Sequence, residues 1–191
     1  MAGAKRQLLV QLPNLISLAR LVVAPIAVWL VLVDERGAAF WIFVAAGVSD
    51  GIDGALARWL KARTPLGAWL DPIADKALLV GVFVSLGWVE ALPIWVVVLA
   101  VSRDFFIVGG VLVLKVMDVP DEPIRPSWVS KTHTFFQIVL AGTALANGAF
   151  GADLSGVVEI LGWIVAATAV TSALVYAIRV NRRLDAYKEA R

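Results

Sequence analysis

The sequence has no cysteine, and His133 is its only histidine in 191 residues. Without cysteine there is no thiolate for a soft metal, and the compartment is left undecided. A lone histidine is more often structural than catalytic, despite a pKa range suited to proton transfer. Charge is scarce as well: Asp, Glu, Lys and Arg make up 17% of the chain, against 60% hydrophobic residues. With a mean hydropathy of +0.84, this excludes an ordinary soluble domain. No internal repeat, low-complexity tract or soluble second domain is present, so residues 1–191 read as one membrane domain.

What is there is a series of apolar runs of spanning length, about 20 residues each. They predict an all-α integral membrane protein with six transmembrane helices, at roughly 14–33, 38–60, 67–89, 92–116, 128–147 and 157–180. Residues 1–12, with Lys5 and Arg6 ahead of an apolar stretch, read as a short interfacial amphipathic helix preceding the bundle. No small-residue cleavage site follows it, so a signal peptide is not expected. Residues 181–191 form a basic tail.

Lys5, Arg6, Lys61, Arg63, Lys115, Arg125, Lys131, Arg179, Arg182, Arg183, Lys188 and Arg191 collect on one side of this topology, and Arg36 alone on the other. The positive-inside rule places the first group, and both termini, at the cytoplasmic face of the inner cell membrane. The pI of 9.2 therefore reflects helix ends that meet anionic lipid headgroups, and no nucleic-acid partner is expected.

Against this background the stretch from Asp50 to Asp75 is anomalous. It puts Asp50, Asp53, Asp71 and Asp75 at membrane depth, where each ionised side chain costs roughly 3 kcal/mol or more. Spacings of three and four put each pair on one helix face. Two such pairs set against each other would form a hard, all-oxygen site suited to Mg²⁺ or Mn²⁺. The small residues Gly51, Gly54, Ala55, Ala57, Gly67 and Ala68 thin the same faces, through packing or to admit a ligand.

The run Asp50-x2-Asp53-Gly54-x2-Ala57-Arg58-x8-Gly67-x3-Asp71-x3-Asp75 resembles the signature of the CDP-alcohol phosphotransferases, integral membrane enzymes of phospholipid synthesis. The resemblance implies that Asp50, Asp53, Asp71 and Asp75 ligate two divalent cations, with Asp75 also the general base. It implies too that Asp50, Gly54, Ala57, Arg58 and Gly67 wall the cytidine and phosphates. Two cations about 4 Å apart can clamp a pyrophosphate and lower the pKa of an attacking hydroxyl. Arg58 has a rationale of its own, since a guanidinium forks onto phosphate oxygens; pairing with a nearby Asp is the structural alternative.

Further polar residues lie outside the motif. Asn14, next to Pro13, suits helix capping. Arg20 is too deep for a casual charge and is expected near the acidic cluster or a lipid phosphate. Arg103 and Asp104 are adjacent and so point about 100° apart, which predicts that each reaches a different neighbour. Lys131, Thr132, Thr134 and Gln137 offer donors near a helix N-terminus, a favourable place for an anion. Arg20, Arg103, Arg125, Lys131 and Thr134 are therefore candidates for binding the acceptor's or lipid's phosphate, and Arg179 could serve beside them.

Arg103-Asp104 followed by the run from Arg125 to Gln137 is similar to the CMP-forming cardiolipin synthases, with His133 a departure from that pattern. This implies transfer of a phosphatidyl group from CDP-diacylglycerol to phosphatidylglycerol, giving cardiolipin and CMP, in a homodimer. Pro13-Asn14 and Asp71 to Lys76 are shared with phosphatidylglycerophosphate synthase, whose acceptor is glycerol 3-phosphate. A cation channel or transporter would distribute its acids across the membrane thickness, whereas these cluster in one half.

Overall fold

The computed structural model describes the backbone of residues 2–60, 65–117 and 128–189, and the side chains of residues 16, 18–49, 73–114, 116–117, 128–185 and 187. Among the described residues all regular structure is helical: α1 (Ala2–Leu32), α2 (Arg36–Leu60), α3 (Pro65–Trp88), α4 (Ile94–Val116), α5 (Trp128–Phe150) and α6 (Ser155–Glu189). The six helices coincide with the six apolar runs to within a few residues at most ends. Two boundaries differ. α1 runs on through Pro13 where a break after the first twelve residues was expected; proline there forfeits one backbone hydrogen bond, and the flanking apolar residues carry the helix across. The basic tail is the last turns of α6, since Arg, Lys, Glu and Ala at 182–190 are good helix formers.

Two compact units emerge: residues 1–91 with 141–154, and residues 92–140 with 155–191. In the first, α1 packs against α2 and α3. Ala24, Ala27 and Val31 of α1, Ala39, Phe43 and Ala46 of α2, and Ala74, Leu78, Val82 and Leu86 of α3 are buried at helical spacing. Small residues let the backbones close up. A Cβ on Gly81 would stand 2.9 Å from Val28 Cγ2, so only glycine admits α1 at that point of α3.

The turns that close α1 and α3 share one device. Glu35 N–H reaches Leu30 O and Asp34 N–H reaches Val31 O, with Asp34 left-handed at φ 64°. Ala91 to Leu86 and Glu90 to Gly87 repeat the pattern, with Glu90 at φ 59°. Both are Schellman ends in which an acidic residue holds the position usually given to glycine. α5 ends on Gly151 at φ 62°, and Asn147 Oδ1 accepts the Leu154 N–H at 2.8 Å.

In the second unit α4 packs on α6. Val96 meets Gly162, the Trp95 and Trp163 rings pack tilted at 45° with centroids 4.7 Å apart, and Phe106 meets Tyr176 edge-on at 6.1 Å, so the two helices run parallel. α4 is turned inside out relative to a soluble helix. It buries Arg103 and Asp104 while exposing Phe105, Phe106, Val108, Leu112 and Val113, the arrangement that an apolar solvent imposes. Ile94–Leu114 and Ser155–Asp185 are long and apolar enough to cross a membrane; Leu18–Leu32 and Arg36–Ser49 are shorter apolar helices. Trp29, Trp41, Trp88, Trp95 and Trp128 are exposed close to helix ends, as tryptophans at a membrane–water interface are.

Candidate active site

The acidic motif lies on two helices of the first unit. Asp50 and Asp53 fall within α2, and Asp71 and Asp75 within α3, so each pair shares one continuous helix, as the spacing requires. The side chains of Asn14, Asp50, Asp53, Gly54, Ala57, Arg58, Gly67 and Asp71 lie outside the described residues, as does Arg125 altogether. Asp75 is described. It neighbours the buried Ala74, and its side chain is 43% exposed.

Arg20 reaches Asp75 from α1. Its Nη1 donates to Asp75 Oδ1, and the guanidinium side chain is only 4% exposed. Arg20 is one turn before Ala24 on the face of α1 that packs into the unit, so the helix delivers the cation directly to α3. Arg20 was expected near the acidic motif or a lipid phosphate, and among the described residues it pairs with Asp75 of that motif. Losing Asp75 would strand the buried Arg20 guanidinium in a desolvated place, whereas Asp75 itself is open to water.

In the second unit, Arg103 gathers three neighbours. Its Nη1 donates to Asp104 Oδ1 at 2.7 Å, its Nε and Nη2 to Ser172 Oγ at 3.1 and 2.6 Å, and its Nη2 to Ser130 Oγ. This corrects the expectation that Arg103 and Asp104 seek different partners. The 100° between adjacent Cβ directions holds, but the long arginine stem bends its fork back onto the neighbouring carboxylate. With Arg103, Asp104 and Ser172 all buried, pairing within the unit offsets their desolvation.

The donors foreseen at the start of α5 divide in two. Lys131 is exposed, with its Nζ 5.3 Å from the centre of the Trp128 ring. Thr132 and Thr134 donate their hydroxyl protons back to Trp128 O and Ser130 O, the intrahelical habit of threonine. His133 is wholly buried and its Nδ1 is 3.1 Å from Thr168 Oγ1. The Thr168 hydroxyl also lies within hydrogen-bond distance of Ile164 O and Val165 O of its own helix. Arg179 is exposed on α6.

Ser130, Thr168 and Ser172 escaped the sequence argument. The signal was present: Thr168 and Ser172 are one turn apart in the apolar run of α6, on one face.

The family model described as CDP-alcohol phosphatidyltransferase matches residues 10–175, and the chain belongs to this family. It is 30% identical over 191 residues to the chloroplastic CDP-diacylglycerol--glycerol-3-phosphate 3-phosphatidyltransferase 1 of Oryza sativa subsp. japonica, covering 91% of this chain and 58% of that protein. It is 29% identical to the human CMP-forming cardiolipin synthase, covering 86% and 60%. It is 34% identical over 173 residues to a probable phosphatidylglycerophosphate synthase of Mycobacterium tuberculosis, covering 87% and 78%. The chain spans about three fifths of the length of the rice and human relatives.

Proposed function

We propose that this protein is a membrane-embedded, metal-dependent phosphatidyltransferase that moves a phosphatidyl group from CDP-diacylglycerol to the hydroxyl of phosphatidylglycerol, releasing CMP and forming cardiolipin. The observation that carries the reading is the eight-position motif of α2 and α3 within a chain that belongs to the CDP-alcohol phosphatidyltransferase family. The inverted polarity of α4 and the tryptophans near helix ends support six spans. The charge asymmetry supports a cytoplasmic active site, and the long apolar faces of α3 and α4 suit a homodimer.

The donor set fits hard divalent cations. All four candidate ligands are carboxylates, and the described one, Asp75, is open to solvent and already holds a positive charge through Arg20. Bound there, Mg²⁺ or Mn²⁺ would neutralise charge on the pyrophosphate and acidify the attacking hydroxyl. Asp50, Asp53 and Asp71 would hold the cations, and Asp75 would take the proton of the acceptor hydroxyl. Arg58, with Gly54, Ala57 and Gly67 clearing space, would face the CDP phosphates. Lys131, exposed at the start of α5, is a described cation open to an acceptor's phosphate; Arg20 is committed to Asp75, and Arg103 to Asp104, Ser130 and Ser172.

Glycerol 3-phosphate is the second acceptor to weigh, because two of these relatives carry names of that activity. The test is product analysis with purified protein, Mn²⁺, CDP-diacylglycerol and each acceptor in turn. Cardiolipin from phosphatidylglycerol bears the reading out, phosphatidylglycerophosphate from glycerol 3-phosphate transfers it to the sister reaction, and CMP with neither acceptor retains only the family chemistry. Asp71→Asn, which removes a ligand charge at constant volume, should abolish CMP release without loss of helicity.

A further inference from the structure

One carboxylate of the acidic motif, Asp75, is met by a cation that belongs to the protein. Arg20 is buried on α1, packed by the α1 face that continues through Ala24 and Ala27, and its fork ends on Asp75. Asp75 by contrast is 43% exposed. A partly exposed carboxylate has water as an alternative partner, whereas a buried guanidinium beside it has far less choice. The pair is thus asymmetric: Arg20 is fixed by the fold, and Asp75 is the member able to turn.

The geometry points to Arg20 as the resident counter-charge of the metal site, a positioning residue that sets cation affinity. This rests on the metal-dependent reading above and adds a role that the acidic motif does not contain. Without a divalent cation, Arg20 supplies positive charge where carboxylates would otherwise repel one another. It also restrains Asp75 through Oδ1. When a divalent cation binds, the fixed guanidinium and the ion are like charges close to one carboxylate, so Arg20 opposes the binding that it imitates. Affinity is held down, and the metal-free protein is held together. A residue that only packed α1 on α3 would do neither.

The consequence is measurable without turnover. The full-length protein in detergent is melted across a Mn²⁺ series. A ligand that binds only the folded state stabilises it by RT ln(1 + L/Kd), L being its free concentration, so the half-saturating concentration follows from fitting the rise in melting temperature. Arg20→Met, close in length but neutral, should melt lower than wild type without Mn²⁺ and reach half-saturation at a Mn²⁺ concentration roughly tenfold lower or less. Arg20→Lys keeps the charge and should respond to Mn²⁺ like wild type within about twofold. If Arg20→Met does not fold unaided, purification in Mn²⁺ should recover it, the ion replacing the missing charge; failure to recover even in saturating Mn²⁺ overturns the inference. So does an unchanged or higher half-saturation concentration in Arg20→Met. A wild-type protein that shows no Mn²⁺ shift overturns the metal reading itself, whereas equal shifts in wild type and Arg20→Met overturn the role of Arg20 alone.

Discussion

Ser172 Oγ lies in the fork of Arg103, accepting from Nε at 3.1 Å and from Nη2 at 2.6 Å. One hydroxyl on α6 therefore holds a buried charge on α4, a polar tie beside apolar contacts such as Val96 with Gly162 and Trp95 with Trp163. Hydrogen bonds to charged groups contribute about 1.5–3 kcal/mol, and an orphaned buried donor costs a similar amount. Ser172→Ala should lower unfolding stability by about 2 kcal/mol in thermal or denaturant melts. The adjacent Thr171→Ala removes an exposed hydroxyl that only bonds its own turn at Ala167 O and should change stability by less than about 0.5 kcal/mol. Equal losses in the two variants would refute a special role for the Arg103–Ser172 tie.

The Schellman end of α3 predicts a gain. Glu90 has φ 59°, a conformation that costs an L-residue about 1 kcal/mol or more and glycine nothing. Glu90→Gly should therefore raise stability by a few tenths to about 1 kcal/mol, after the extra unfolded-state entropy of glycine is subtracted. Asp34→Gly relieves the same strain at φ 64° but also removes the ion pair between Asp34 and Arg36 Nε at 2.7 Å, so it should gain less. Melting temperatures of the two variants, compared side by side, give the order.

Neighbouring glycines of α4 should respond with opposite signs. A Cβ on Gly110 would stand 2.6 Å from Tyr176 Cε1, whereas a Cβ on Gly109 meets nothing within 4 Å. Glycine within a helix costs about 0.5–1 kcal/mol relative to alanine. Gly109→Ala should recover that amount. Gly110→Ala must displace the Tyr176 ring, which packs edge-on against Phe106, and should lose about 1–3 kcal/mol. The sign difference is read from paired melts, and Tyr176→Leu in the Gly110→Ala background should restore part of the loss.

The contrast between these sites shows what the chain discloses by itself. Six apolar runs separated by Pro, Gly and charge marked the six helices, within a few residues except at the start of α1 and the end of α6, because the spacing of Ala24, Ala27 and Val31, or of Ala74, Leu78 and Val82, needs no partner to be recognised. The acidic motif was legible for the same reason: its spacing is local. Arg20 was legible only as an anomaly, since burial of a charge says that a partner exists without saying which. The Arg103–Asp104 pair was misread because Cβ direction was taken for the direction of a guanidinium several bonds away. Ser130, Ser172 and Thr168 went unnoticed because a hydroxyl barely alters hydropathy; only the packing of α4 on α6 shows what Ser172 serves. The continuation of α1 through Pro13 depends on flanking residues outweighing one lost hydrogen bond, a balance that local rules settle the other way.

Gln137 supplies the last prediction. It lies one turn after His133 on α5 and is wholly buried, yet among the described residues neither its Nε2 nor its Oε1 has a hydrogen-bond partner. His133, by contrast, is tied to Thr168. A buried amide lacking both partners carries an uncompensated desolvation cost of about 1–3 kcal/mol per group by mutational measures. Gln137→Leu has nearly the same volume and no polar atom. It should therefore raise the unfolding midpoint, by the equivalent of about 1–3 kcal/mol, reversing the usual sign of a core substitution. His133→Leu at the neighbouring turn should lower it, since Thr168 loses its hydrogen-bond partner. If Gln137→Leu were destabilising instead, the amide would be bound to water within the unit, because only a satisfied group is missed when it is removed.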